Sequence, residues 1–437
     1  MGIIYTLESA IFFTLLAPKE TFIHCLADFA LKLGQQQYFP LLVGGMGVDV
    51  STPDLVLAIA GLGGIAHLSD AMLPAVVDHH DGTHFVQTKQ QQCRADRQAG
   101  VVHDPFDLSQ LRQATEKFIR ETMSRKKGSG GIFLNVMEKL TMGNPRETLA
   151  VRLKAALDAG IDGLTLGAGL NLGSLELIKD HPRFHDSMIG IIVSSARALK
   201  LFLHRAAKLE RLPDYIIVEG PLAGGHLGFP CTWQEFDLAT IVNEVKQMLS
   251  TDNLHIPVIP AGGIFTGSDA VKFMEQGAAA VQVATRFAVT RESGLPDVVK
   301  QAFFAAQPED VEVNLLSATG YPMRMLKSSP AIGNTINPQC DAYGYALDKE
   351  QNCSYKTARK LFKETGEENV KVCLCSMMFN YKIWTCGHTV SRLKETTNRL
   401  PDGSYQLLTA EQVFMDYAYS KDQRIQLPPM VESMAMV

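Results

Sequence analysis

Short apolar runs recur along the chain, separated by stretches in which apolar residues fall at every third or fourth position. The runs are Leu41–Met46, Gly64–Leu68, Gly131–Val136, Gly163–Gly167, Gly190–Ser194, Tyr215–Val218, Pro257–Ala261 and Ala280–Ala284. Near-continuous Val, Ile and Leu predict strands covered on both faces, as in parallel sheets wrapped by helices. Helix signals lie between them. Pro53 after Ser51-Thr52 opens a helix over 54–62, and Gly160 closes one begun at Arg146. Leu199, Leu203 and Ala207 share one face, and Ser268-Asp269 caps a segment ending before Gly277. Eight βα units over roughly 250 residues predict a (β/α)8 barrel. A doubly wound open sheet is the alternative, since strand order in sequence does not reveal closure.

Two regions exceed the repeat. Residues 70–130 form an insertion after the second strand, with a helix expected from Asp107 to Arg125. From about 297 a mostly helical C-terminal extension runs to 437, with helices expected near 297–306, 355–364 and 409–419. The domain reading is therefore an N-terminal extension over 1–37, a barrel over 38–296 and a tail over 297–437 that covers the active site. Excursions of this kind commonly lie over the working end of a barrel.

Composition narrows the function classes. Of 437 residues, 46% are hydrophobic and 20% charged, and 41 basic against 46 acidic residues give a net charge of −5. No polyanion-binding surface is suggested, so nucleic acid is not an expected partner. The apolar run Ala10–Ala17 is far shorter than the roughly 20 residues of a membrane span and lacks a basic leader, so a cytoplasmic protein without a membrane partner is expected. Eight scattered cysteines predict reduced thiols rather than a disulfide framework. Oligomeric state is not encoded in these patterns.

Candidate chemistry clusters where barrel strands end. Gly44-Gly45-Met46-Gly47, Asn135, Gly167-Ala168-Gly169, Ser194-Ser195, Glu219 to His226, Gly262-Gly263 and Thr285-Arg286 each follow an apolar run. Glycine lets backbone N–H groups approach a phosphate, and the usual phosphate site of a barrel follows strands seven and eight. His226 stands between Gly224-Gly225 and Gly228, open to close approach by a ligand, and an imidazole titrates in the range that suits proton transfer. The G-x-G-x-x-x-G spacing from Gly167 to Gly173 departs from a dinucleotide fingerprint and follows the fourth strand, so it is not read as one. His79-His80-Asp81 with His84 is read as a solvated loop, and Cys373-x-Cys375 with Cys386 and His388 as free thiols, so no metal is expected.

These pieces, in this order over about residues 38–335, resemble the nitronate monooxygenase family, FMN-dependent barrels related to the FabK-type enoyl-acyl carrier protein reductases. The resemblance implies an oxidoreductase holding FMN through Gly44, Gly45, Met46, Asn135, Glu219, Gly224, Gly225, Gly262, Gly263, Gln282, Val283, Ala284 and Thr285. It implies His226 as the base that deprotonates a small nitroalkane, with O2 reoxidising the flavin. NAD(P)H-dependent reduction of an enoyl thioester or quinone is the second reading, and a non-catalytic phosphate- or partner-binding barrel the third. The chain departs from the family pattern at Glu219, where many members have Gln, at Ala284, where many have Gly, and in the tail beyond about 340.

Overall fold

The structure, a computed structural model, describes residues 24–100, 107–138, 140–141, 144–167, 169, 173–338, 340, 345–346, 352–366, 371–421 and 425–429. The apolar run Ala10–Ala17, Ala168 of the Gly167–Gly169 turn and residues 101–106 of the insertion lie outside them. Eight parallel strands close into a barrel: β1 Leu41–Val43, β2 Ile65–Ser69, β3 Gly131–Met137, β4 Gly163–Gly167, β5 Met188–Val193, β6 Tyr215–Glu219, β7 Val258–Ala261 and β8 Val281–Val283. Closure is made by β8 pairing with β1, Val281 opposite Leu41 and Val283 opposite Val43. The strands are buried along nearly their whole length because helices cover the outer face and side chains fill the interior.

One interior layer is polar. His67 of β2 bonds the Val43 carbonyl through Nδ1 at 2.8 Å and Thr165 Oγ1 of β4 through Nε2 at 2.7 Å, and Thr165 bonds the Tyr215 hydroxyl of β6. Alternate strands thus meet in a layer whose every polar atom has a partner, which is what lets it be buried. Complete burial pushes His67 down to about 4, so the imidazole is neutral.

The outer helices are α1 Pro53–Gly61, α2 Leu73–Asp81, α3 Phe85–Ala99, α4 Leu108–Ser124, α5 Pro145–Asp158, α6 Ala196–Ala207, α7 Leu238–Thr251 and α8 Gly267–Glu275. Caps account for several starts: Thr52 Oγ1 accepts from Leu55 N, Asp107 from Ser109 N and Ser195 Oγ from Ala198 N. Thr266, with Asp269 in a reciprocal capping box, starts α8 two residues earlier than Ser268 would. Within the insertion, α4 packs on α5 in the ring while α2 and α3 are additional.

The tail contributes α9 Asp297–Ala305, α10 Ser354–Thr365, α11 Leu374–Phe379 and α12 Ala410–Tyr419. It also supplies strands Val311–Asn314 and Met323–Leu326, which extend the two-residue strand Gly225–His226 into an antiparallel sheet. After β8 comes only a 3₁₀ turn, Phe287–Val289. Helix α12 packs against both α1 and α8, the ring position that a helix following β8 would take.

Candidate active site

At the mouth formed by the C-terminal strand ends, the β1 loop meets side chains from β3 and β8. A methyl on Gly45 would lie 2.4 Å from Asn135 Cβ, and one on Gly44 would lie 3.1 Å from Gln282 Cδ. Gly167 approaches Asn135 from the other side, where a methyl would be 3.2 Å from its Oδ1. The loop is held by Gly44 N donating to the Val283 carbonyl at 2.9 Å and Met46 N to Ser51 Oγ at 3.0 Å. Gly44, Gly45, Met46, Asn135, Gln282 and Val283 are therefore brought together.

Asn135 is positioned from behind by a buried ion pair. Asp70, just past β2, takes an N–H from Met137 at 2.7 Å, gives its own N–H to the Asn135 carbonyl at 3.1 Å and pairs with Arg152 of α5. Burial raises the Asp70 pKa and the Arg152 guanidinium opposes that rise.

The β6 and β7 loops form the other side. Gly262 and Gly263 take φ of +97° and +84°, and methyls there would meet Ala223 N at 3.0 Å and the Leu222 side chain at 2.8 Å. Only glycine fits both demands. Gly225 has φ +71°, which turns the loop so that Gly225 and His226 pair with Arg324 and Met323. The imidazole of His226 bonds Ser317 Oγ through Nε2 at 2.6 Å, and Ser317 bonds Thr319 Oγ1 at 2.8 Å. Partly accessible but surrounded by protein, His226 is pushed by desolvation down to about 4 and is neutral near pH 7.

Arg324 lies fully buried beside this loop. Its Nη1 donates to the carbonyls of Pro221, at 2.8 Å, and Ala223, and its guanidinium carbon sits 4.4 Å from the Trp233 ring centre. Among the described residues, Nε and Nη2 are buried without a partner. Glu219, at the end of β6, faces Arg324. Burial pushes Glu219 up to about 7 and the cation moderates the shift, while burial lowers Arg324 to about 10.

Neither Ser317 nor Arg324 was marked by the sequence reading. A signal existed for the second, a lone cation inside the apolar run Met323-Arg-Met-Leu326.

The tail also reaches Gly224 and Thr285. A methyl on Gly224 would meet the Cys386 carbonyl carbon at 2.6 Å, and one on Gly387 would meet Thr285 Oγ1 at 2.4 Å. Ala284 accepts backbone bonds from Phe287 and Ala288 in the following turn. The donor set suits a phosphorylated flavin: two left-handed glycines, which have no side chain of their own beside their backbone N–H groups, and an orphaned guanidinium edge nearby. A nucleotide reaching Thr285 would have the Cys386–Gly387 peptide as its neighbour.

One cluster differs from its sequence reading. His79 and His80 lie in the last turn of α2 rather than in a loop, and both bond Asp49, at 2.8 and 2.6 Å. Asp49 also accepts from the Tyr381 hydroxyl at 3.0 Å. Among the described residues this is the group of ligand-type atoms that falls within 4.8 Å, and its hydrogen bonds account for the carboxylate without an ion. Cys386 and His388 sit at the barrel mouth, where His388 N donates to the Leu222 carbonyl and its ring lies 5.2 Å from Trp233, so they do not complete a set with Cys373 and Cys375.

Comparison with known proteins gives the same direction. The family model described as nitronate monooxygenase matches residues 31–370. A Staphylococcus saprophyticus protein called "Probable nitronate monooxygenase" is 27% identical over 197 residues, 44% of this chain and 52% of that protein. The first curated relatives are matched over only 29% to 52% of their own lengths. Among solved structures, nitroalkane oxidase from Streptomyces ansochromogenes has a TM-score of 0.52 at 16% identity, covering 87% of this chain and 94% of that one. FabK from Thermotoga maritima has a TM-score of 0.51 at 18% identity, covering 86% and 91%. At these identities the structural likeness establishes the barrel fold. Among the described residues, no helix is long and apolar enough to cross a membrane.

Proposed function

Because the chain belongs to the nitronate monooxygenase family, we propose that it is an FMN-dependent oxidoreductase that oxidises small nitroalkanes or their nitronates, with His226 as the base. The observation that carries this reading is the neutral imidazole at the barrel mouth, anchored through Nε2 to Ser317 and flanked by glycines. A neutral His226 can accept a proton from the carbon bearing a nitro group, and the bond to Ser317 fixes the ring for that task. FMN, when bound, supplies the acceptor for the electron pair and, once reduced, the site of reaction with O2.

In this reading Gly262, Gly263 and Thr285 hold the phosphate, and Gly44, Gly45, Met46, Asn135, Gln282, Val283 and Ala284 line the flavin. Glu219, Gly224 and Gly225 border it near the substrate. The orphaned edge of Arg324 suits an anionic group.

Purified full-length protein should carry a yellow chromophore that extraction identifies as FMN. Anaerobic mixing with a nitronate should then bleach it. Bleaching by NADH or NADPH with no response to nitronate would move the assignment to an enoyl-thioester or quinone reductase. Colourless protein that takes up no FMN would leave a non-catalytic barrel.

A further inference from the structure

Three distant segments meet at the carboxylate of Asp49. The residue lies three positions after Met46, in the short turn Gly47–Val50 that follows β1, and takes φ +54°. Its backbone is gripped by the loop at Gly294, whose N donates to the Val50 carbonyl at 3.1 Å and where a methyl would lie 1.8 Å from the Asp49 carbonyl oxygen. The side chain is only 5% exposed. Among the described residues its ion-pair partners are two imidazoles, so no permanent cation balances this buried carboxylate.

The imidazoles come from adjacent residues. Neighbours on a helix diverge by about 100°, yet His79 reaches Asp49 through Nδ1 at 2.8 Å and His80 reaches it through Nε2 at 2.6 Å. Using the near nitrogen of one ring and the far nitrogen of the other lets both converge on one point. From the tail, the Tyr381 hydroxyl donates to the same carboxylate at 3.0 Å. One ligand atom from each of Asp49, His79 and His80 lies within 4.8 Å of the others. The motif His79-His80 does not reveal this set in sequence, because its third member is thirty residues away and joins it only in the fold.

Two imidazoles and a carboxylate form a three-ligand set for a borderline divalent ion, whereas magnesium and calcium prefer oxygen alone. Zinc bonds of about 2.0–2.2 Å place tetrahedral ligand atoms about 3.4 Å apart, so the present atoms need shifts of about 1 Å. The candidate site is empty in this structure, and ring N–H groups satisfy the carboxylate. On binding, each ring would carry its proton on its other nitrogen and give the freed lone pair to the ion. Water would complete the coordination from the side of His79, whose side chain is 62% exposed.

We propose that Asp49, His79 and His80 bind one divalent transition-metal ion of the zinc type, with Tyr381 orienting the carboxylate from behind. The ion ties the β1 loop, which carries Gly44, Gly45 and Met46, to the insertion through α2, and its part is structural.

The test is zinc titration of the full-length chain after removal of metal with EDTA, read by metal analysis and calorimetry. One equivalent should bind, and X-ray absorption at the zinc edge should show nitrogen and oxygen at about 2.0–2.1 Å with no sulfur at about 2.3 Å. Affinity should fall about a hundredfold in His80→Ala and Asp49→Asn and about tenfold in Tyr381→Phe. It should hold in His84→Ala, whose ring is outside the set. Asparagine tolerates a left-handed backbone, so Asp49→Asn removes the ligand while keeping the turn. Wild-type protein that binds no zinc stoichiometrically would overturn the site, and so would zinc bound through sulfur, which would place it on the cysteines. Neither result depends on a variant folding. Flavin content measured on the same samples tests the barrel reading separately.

Discussion

His226 is held neutral by desolvation, with its pKa lowered to about 4. As a group with a depressed folded pKa that gains charge on unfolding, it costs stability as pH falls from its ordinary range near 6.5 towards 4. In the proposed reaction the same shift would keep His226 free of its proton, so it should impose no acid limb near 6.5. His226→Asn should lower oxidation of neutral nitroalkane by about 10²- to 10⁴-fold and leave oxidation of preformed nitronate within severalfold of wild type. Equal loss on both substrates, measured by oxygen consumption, would remove the base assignment.

Glu219 has the opposite shift. Raised to about 7, it carries a proton over much of the neutral range, and its folded form is favoured by low pH. A carboxylic C=O stretch in the infrared spectrum should disappear as pH rises through about 7 and be absent in Glu219→Gln. These shifts were not legible in sequence, because they arise from burial and from Arg324, more than a hundred residues away. The glycines were legible, since a turn that must pass close to another chain leaves its mark in composition.

Among the elements, the barrel strands were readable because strands buried on both faces need apolar residues at every position. The short strands Val311–Asn314 and Met323–Leu326 were not. They exist through pairing with each other and with Gly225–His226, and each is only four residues long, too short to stand out as a run. The last turn of α2 was hidden for a related reason: its histidines hydrogen-bond to Asp49, thirty residues back.

Asp49 sits at φ +54° with its carboxylate shared by α2 and by Tyr381 of the tail, a clasp between three distant segments. The Asp49 hydrogen bond raises the His80 pKa, so the contribution of this pair is fully present below the ordinary imidazole range and is lost as pH rises through the raised value. The melting temperature should therefore decline above about pH 6.5, and Asp49→Asn should flatten that decline. The Asp70–Arg152 pair behind Asn135 is more deeply buried. Arg152→Ala leaves Asp70 without its counter-charge and should cost about 3–5 kcal/mol in denaturant unfolding, displacing Asn135 with it.

For the whole molecule, the decisive question is whether the tail is an accessory or part of the barrel. Its last helix, α12, occupies the ring position between α1 and α8, which makes the fold depend on residues more than a hundred positions after β8. The Phe414 ring lies 4.8 Å from Phe39, and Tyr417 stacks on Phe287 and donates to the Ile264 carbonyl at 3.2 Å. Asp416 pairs with fully buried Arg286 at 2.7 Å, and that guanidinium lies over the rings of Phe265 and Tyr417. Removing α12 would uncover these rings together and leave Arg286, one residue from Thr285, as a buried cation without its carboxylate. Asp416→Ala should by itself cost about 3–5 kcal/mol, and Tyr417→Ala about the same through the cavity it leaves. Truncation after Thr409 should exceed either and yield protein that aggregates or melts well below the full chain. A lid placed over a finished barrel would behave differently: the truncated chain would keep its melting midpoint and change only its kinetics, and that outcome in a thermal melt would show α12 to be dispensable to the fold.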